Sequence, residues 1–88
     1  MYSVELSLRV QKFLDKLDDH ISERITERLK NLSKEPVPSD SKFIGRENND
    51  KLFRYRIGDF RALYKIKESK KVVLITKLDK RSKVYNCD

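Results

Sequence analysis

The chain has 88 residues, which is one domain with a modest core. Charged residues make up 40% and hydrophobic residues 38%, so that core must be assembled from a few amphipathic elements. The net charge of +7 favours an anionic partner, and no run approaches the roughly 18–20 apolar residues of a membrane span.

Tyr2 to Leu6 alternates, with Tyr2, Val4 and Leu6 on one side, and predicts a short strand. Ser7 is a suitable N-cap for a first helix in which Val10, Phe13, Leu14 and Leu17 form one buried stripe. Arg9, Lys12, Asp15 and Lys16 then form its solvated side. Asp18-Asp19 caps a second helix with Ile21, Ile25, Leu29 and Leu32 as its stripe, giving an αα-hairpin. Pro36 and Pro38 end that helix and start an extended stretch. Residues 39–51 are polar apart from Phe43-Ile44 and read as a loop.

Leu52 to Tyr64 follows. Two alternating runs flank Gly58-Asp59, the spacing of a tight β-hairpin. In that register Ile57 lies opposite Phe60, Arg56 opposite Arg61, Tyr55 opposite Ala62 and Arg54 opposite Leu63. Phe53, Tyr55, Ile57, Phe60, Ala62 and Tyr64 share one face, while Arg54, Arg56 and Arg61 share the other and look to solvent. Opposed like charges destabilise a sheet. Two unit charges about 6 Å apart repel by roughly 3 kcal/mol at an effective dielectric of about 20, and by under about 1 kcal/mol in water. An anion held between Arg56 and Arg61 gives that arrangement a purpose.

After a charged turn at 67–71, Val72 to Thr76 is a nearly continuous apolar run, which suits a strand inside the sheet. Lys77 onward reads as a basic tail carrying Tyr85. The expected fold is α+β: a β-α-α-β-β-β order plus a short tail, with the two-helix hairpin packed on one face of a mainly antiparallel sheet.

Charge is unevenly divided. Residues 1–40 carry seven Lys/Arg against eight Asp/Glu, a net of −1, whereas residues 41–88 carry fourteen against six, a net of +8. A neutral scaffold followed by a basic half suggests a polyanion such as nucleic acid, the bland alternative being a solvated lysine-rich surface. His20 is the only histidine and starts a helix, and no His, Cys or carboxylate cluster has metal-ligand spacing, so neither metal nor cofactor is expected. With only Gly45 and Gly58, no glycine-rich phosphate loop exists. The lone Cys87 forms no internal disulfide and the N-terminus lacks the pattern of a secretory signal, so a cytoplasmic location is expected.

The element order, the Phe53–Tyr64 hairpin, the Val72–Ile75 strand and the terminal block from Lys80 to Tyr85 together resemble the RelE/ParE superfamily of small toxins. The likeness lies on the RelE side and spans nearly the whole chain, implying a single toxin domain over residues 1–88. It implies a toxin of a type II toxin–antitoxin system that enters the ribosomal A site, in the region of its 16S rRNA, and cuts mRNA there without a metal. It also implies a RelB-like antitoxin as partner. Carried over by position, Arg61 matches the arginine on the scissile phosphate, Arg54 and Arg56 match two basic positions on the preceding strand, and Lys80 and Arg81 fall at the late basic position. Tyr85 matches the tail tyrosine that stacks on a codon base, and Lys51, Lys65, Lys77 and Lys83 are expected to bind RNA. Some members carry lysine where this chain has Arg54 and Arg56. A guanidinium is a poor proton acceptor, so Lys80, Lys51, Lys77 or Tyr85 are the candidates for that role. Two alternatives stay open: a ParE-like inhibitor of DNA gyrase, and a nonenzymatic RNA-binding module.

Overall fold

The computed structural model describes residues 1–80. Strand β1 (Ser3–Leu6) leads into helix α1 (Leu8–Asp15) and helix α2 (Asp19–Lys30), followed by strands β2 (Ser41–Glu47), β3 (Asp50–Ile57), β4 (Phe60–Lys67) and β5 (Val72–Lys80). The five strands form one sheet in the order β1-β5-β4-β3-β2. Neighbours run antiparallel except β1 and β5, which are parallel. The α+β architecture expected from the sequence is the one observed.

Local chemistry explains the boundaries. The Ser7 side chain accepts a hydrogen bond from the Val10 N–H and caps α1, and Asp18 accepts from the His20 N–H to cap α2. Val10, Leu14, Ile25, Leu29 and Leu32 from the helical segment are buried against Phe53, Tyr55, Ile57, Ala62, Tyr64, Ile66, Val73, Ile75 and Leu78. Ile21, expected in the α2 stripe, is 38% exposed and is not part of this core.

The hairpin register is the one read from the sequence, with Arg56 opposite Arg61 and Ile57 opposite Phe60. Gly58 has φ +57°, a left-handed conformation that glycine adopts without the strain a Cβ brings.

Two expectations need correction. Residues 41–47, read as loop, form edge strand β2, whose Phe43 packs edge-to-face on Phe53 with ring centroids 5.7 Å apart. The turn joining β2 to β3 places Asn48 and Asn49 at φ +51° and +75°, the pairing that suits a tight two-residue hairpin turn. Weak alternation hid this strand, since most of its side chains are exposed and a bulge at Ile44 breaks its period. Second, residues 77–80, read as the start of the tail, continue β5.

That continuation contains a further bulge. Leu63 pairs with Lys77 but Tyr64 pairs with Ile75, leaving Thr76 as the extra residue, its hydroxyl donating to the Leu63 carbonyl at 3.2 Å. The buried series of β5 therefore steps from Val73 and Ile75 to Leu78, rather than to residue 77. Lys77 and Asp79 are turned to the face away from the helices.

Candidate functional site

One sheet face packs on the helices, and the other carries the cations in rows that cross the strands. Pairing sets Lys42, Arg54, Leu63 and Lys77 side by side on β2, β3, β4 and β5. The next row, toward the Gly58 turn, holds Arg56, Arg61 and Asp79. Neighbouring strands are about 4.8 Å apart, so Arg61 is flanked at similar backbone distances by one cation and one anion. Attraction from Asp79 opposes repulsion from Arg56, and the like-charge pairing is not left uncompensated.

Exposure differs sharply along these rows. Arg56 is exposed and Arg54 half-buried, whereas Arg61 is only 5% exposed. The expectation that all three arginines look to solvent is corrected for Arg61. It sits on β4, the central strand of five, where neighbours crowd it from both sides. Burying a guanidinium is costly unless other groups hold it, so Arg61 is a fixed cation rather than a floppy one.

The remaining sequence candidates divide by register. Lys65 lies on the arginine face, between Leu52 and Leu74, with its ammonium 3.0 Å from a Glu47 carboxylate oxygen. Such an exposed pair contributes at most about 1 kcal/mol, so it is easily exchanged for another anion. Lys77 also shares the arginine face. Lys51 pairs with Arg46 and Ile66, and Lys80 pairs with Phe60. Strand alternation thus puts both on the helix-facing side, and the structure does not bring them together with the arginines. Arg81, Lys83 and Tyr85 lie outside the described residues.

Lys42 and Asp79 were missed from the sequence. Lys42 lies in edge strand β2, which has no clear alternation, and Asp79 lies in a stretch whose charge reads as tail. The signal for Asp79 was present in the apolar spacing, which runs Val73, Ile75, Leu78: a step of two and then of three marks a bulge.

The underside of the hairpin is held by a polar cluster at the sheet–helix boundary. Arg28 donates from Nε to the Tyr55 hydroxyl at 3.2 Å, places its guanidinium carbon 5.5 Å from that ring, and reaches an Asp40 carboxylate oxygen at 3.0 Å. The bond to Tyr55 and, secondarily, the Asp40 charge raise its pKa further above the ordinary arginine value. Tyr64 donates to the Pro36 carbonyl at 2.7 Å, and burial is the main cause that pushes its phenol up to about 12. These contacts tie β3 and β4 to α2 and to the stretch after it, which fixes the strand rows on the opposite face.

Chemically, the arginine face offers one buried and two more accessible guanidinium groups, donors suited to a phosphate. Asp79 stands beside Arg61, Lys42 beside Arg54 and Lys77 beyond Leu63 in the same row, so one carboxylate and two ammonium groups share the face with the arginines. Among the described residues, no group of three or more His, Cys, Asp or Glu side chains could hold a metal ion. No helix there is long and apolar enough to cross a membrane.

Comparison with known proteins gives consistent matches. Residues 4–85 match the family model described as the ParE toxin of type II toxin–antitoxin system, parDE. A curated relative from Methanocaldococcus jannaschii, named RelE1, is 29% identical over 85 residues, covering 96% of this chain and 94% of its own. Among solved structures, the archaeal RelE–RelB complex from Pyrococcus horikoshii OT3 has a chain with TM-score 0.82 and 32% identity, covering 91% of this chain and 94% of that one. The toxin–antitoxin complex RelBE2 from Mycobacterium tuberculosis has TM-score 0.75 and 30% identity, covering 91% and 98%.

Proposed function

The chain belongs to the RelE/ParE superfamily of type II toxin–antitoxin toxins, and from that premise we propose that residues 1–88 form one RelE-like toxin domain acting as a ribosome-dependent endoribonuclease. It cuts mRNA in the ribosomal A site, in the cytoplasm, and stops translation. The observation that supports this reading is the row Arg56–Arg61–Asp79 beside Arg54, a buried cation set between an exposed arginine and a carboxylate on the sheet face away from the helices.

In the proposed reaction the ribose 2′-oxygen bonds to the adjacent phosphorus and the bond to the 5′-oxygen breaks. The products are a 2′,3′-cyclic phosphate and a free 5′-hydroxyl. Charge builds on the equatorial oxygens in between, and Arg61 is assigned to them because a buried, preorganised cation pays little reorganisation there. Arg54 and Arg56 hold the flanking phosphates. The 2′-hydroxyl proton needs an acceptor, and the leaving 5′-oxygen takes its proton from solvent water. Asp79 is a carboxylate in register with Arg61, and it is assigned to orient Arg61 and to accept that proton directly or through water. By the resemblance, Arg81 is assigned to phosphate binding and Tyr85 to stacking on a codon base, while Lys80, on the helix-facing side, is given no part in the reaction. Lys51, Lys65, Lys77 and Lys83 add phosphate attraction. The reaction so written uses no metal or cofactor.

Such a toxin needs a covering partner, and the relatives solved with RelB support a RelB-like antitoxin for this chain. The test is a translation extract supplied with purified protein, wild type or Arg61→Ala, with primer extension on a reporter message. Cuts within A-site codons from the wild type and about 100-fold fewer from the variant are expected. Intact message on stalled and running ribosomes would sink the reading.

A second reading is favoured by one observation, the match to a family described by the ParE toxin. It makes the chain a gyrase inhibitor that leaves RNA intact, and inhibition of supercoiling without mRNA cleavage selects it.

A further inference from the structure

Helix α1 and its C-cap carry Arg9, Lys12 and Lys16, which in isolation read as ordinary solvated surface. The fold gives these residues a counterpart. Among the described residues β1 pairs only with Val72–Ile75 of β5, and no strand lies beside the outer edge of β5 beyond Ile75. The chain turns there, Ser7 donating its N–H to the Ile75 carbonyl at 3.0 Å, and α1 runs alongside. Between α1 and the end of β5 lies an open groove of about 640 Å³ lined by Arg9, Lys12, Lys16 and Lys77, with Leu8, Phe13 and Leu78 as its apolar part and Asp79 as its one carboxylate. No ion pair or hydrogen bond from the side chains of Arg9, Lys12 or Lys16 occurs among the described residues. Leu8 is 65% exposed, an apolar surface set among cations.

Lys77 belongs both to this groove and to the row Lys42–Arg54–Leu63–Lys77. The cationic surface therefore continues from the arginine face over the β5 edge and down the side of α1. We propose that this groove is a backbone track for single-stranded RNA, in which Arg9, Lys12 and Lys16 hold phosphates of the strand as it leaves the arginine face. A single strand suits it better than a duplex: the surface bends around a strand edge, and the apolar part accepts the face of an unstacked base. The inference rests on the proposed function for its direction, since it is the strand cut at Arg61 that continues into the groove.

The test replaces Arg9, Lys12 and Lys16 together by Gln, which keeps side-chain length and good helix propensity, with helicity and thermal midpoint checked against the wild type. Binding to a short single-stranded RNA is followed by anisotropy over a salt series. Each phosphate contact on a single strand contributes about 0.7 to the slope of log affinity against log salt, so the slope should fall by about 2. A control with Lys30, Lys34 and Lys70 changed to Gln, all exposed and outside the groove, should leave the slope unchanged. An unchanged slope in the groove variant overturns the proposal, as does an equal fall in the control, which would mark diffuse attraction. Loss of binding to an oligoglutamate peptide with RNA binding intact also overturns it, in favour of an acidic protein segment. The proposed function fails separately. If wild-type protein cuts no message while the groove slope falls as expected, the track stands and the nuclease reading does not.

Discussion

The two faces of the β3–β4 hairpin are built from alternate residues of the same thirteen-residue stretch, Leu52 to Tyr64, yet they follow opposite rules. On the helix side, Phe53, Tyr55, Ile57, Ala62 and Tyr64 are buried in mutual contact, Phe53 stacking on Tyr64 with centroids 5.4 Å apart. Apolar burial contributes about 25 cal/mol per Å², so that face drives folding. On the other side, Arg54 faces Lys42 and Arg56 faces Arg61, like-charge neighbours that weaken the sheet and are offset at Arg61 by Asp79. A face that concentrates charge in this way is the one that the proposed function uses for binding. The difference teaches that stability and function here are separable by register: one residue along the strand changes which is at stake.

The largest expected effect tests the helix side. Ile25→Ala, at a site 1% exposed, should lower unfolding free energy by about 2–5 kcal/mol in a urea titration. Per folded molecule, its mRNA cleavage should be unchanged. Loss of cleavage in folded protein at low temperature would show that the two faces are coupled.

Next is Arg61→Ala, expected to remove about 3 kcal/mol of transition-state stabilisation, or about 100-fold in cleavage rate. Because Arg61 is buried, Arg61→Lys serves as a companion that keeps the charge and loses the planar fork; it should fold like the wild type and recover only part of the rate. Full activity in both variants breaks the assignment of this face.

Arg56→Gln is the sharper probe. It relieves a like-charge pair at an exposed position, so thermal stability should rise by a few tenths of a kcal/mol while cleavage falls about tenfold, or about 1.4 kcal/mol. Both quantities falling together would return Arg56 to an ordinary structural role.

The smallest effect concerns Tyr64. Its folded-state value of about 12 lies above the ordinary value of about 10, because burial disfavours the phenolate. Sign follows from the raised value: the contribution is fully present below pH about 10 and is lost as pH climbs through about 12. Tyr64→Phe removes the hydrogen bond to the Pro36 carbonyl and should cost about 1 kcal/mol at neutral pH. It should also lose less stability than the wild type between pH 10 and 12, which denaturation at stepped pH measures. Equal loss in both proteins would assign the alkaline limb to lysines instead.

Much of this was legible from residue order alone. The Gly58-Asp59 turn with alternation on both sides was sufficient to predict the pairing of Arg56 with Arg61, because turn length and a period of two leave a single register that buries the aromatic face. Helix stripes and caps were readable for a similar reason: a helix's period and its end groups are local properties. Other features depend on contacts between distant segments. β2 takes its place from Phe43 meeting Phe53 rather than from its own pattern. The burial of Arg61 follows from its strand being third of five. The bulge at Thr76 decides that Lys77 and Asp79 share the arginine face and that a groove opens against α1. An isolated strand has no reason to skip a residue. It does so only because β4 holds one side of it, while β1 stops at Leu6 and α1 takes over the other, which is information that no single stretch of the chain contains.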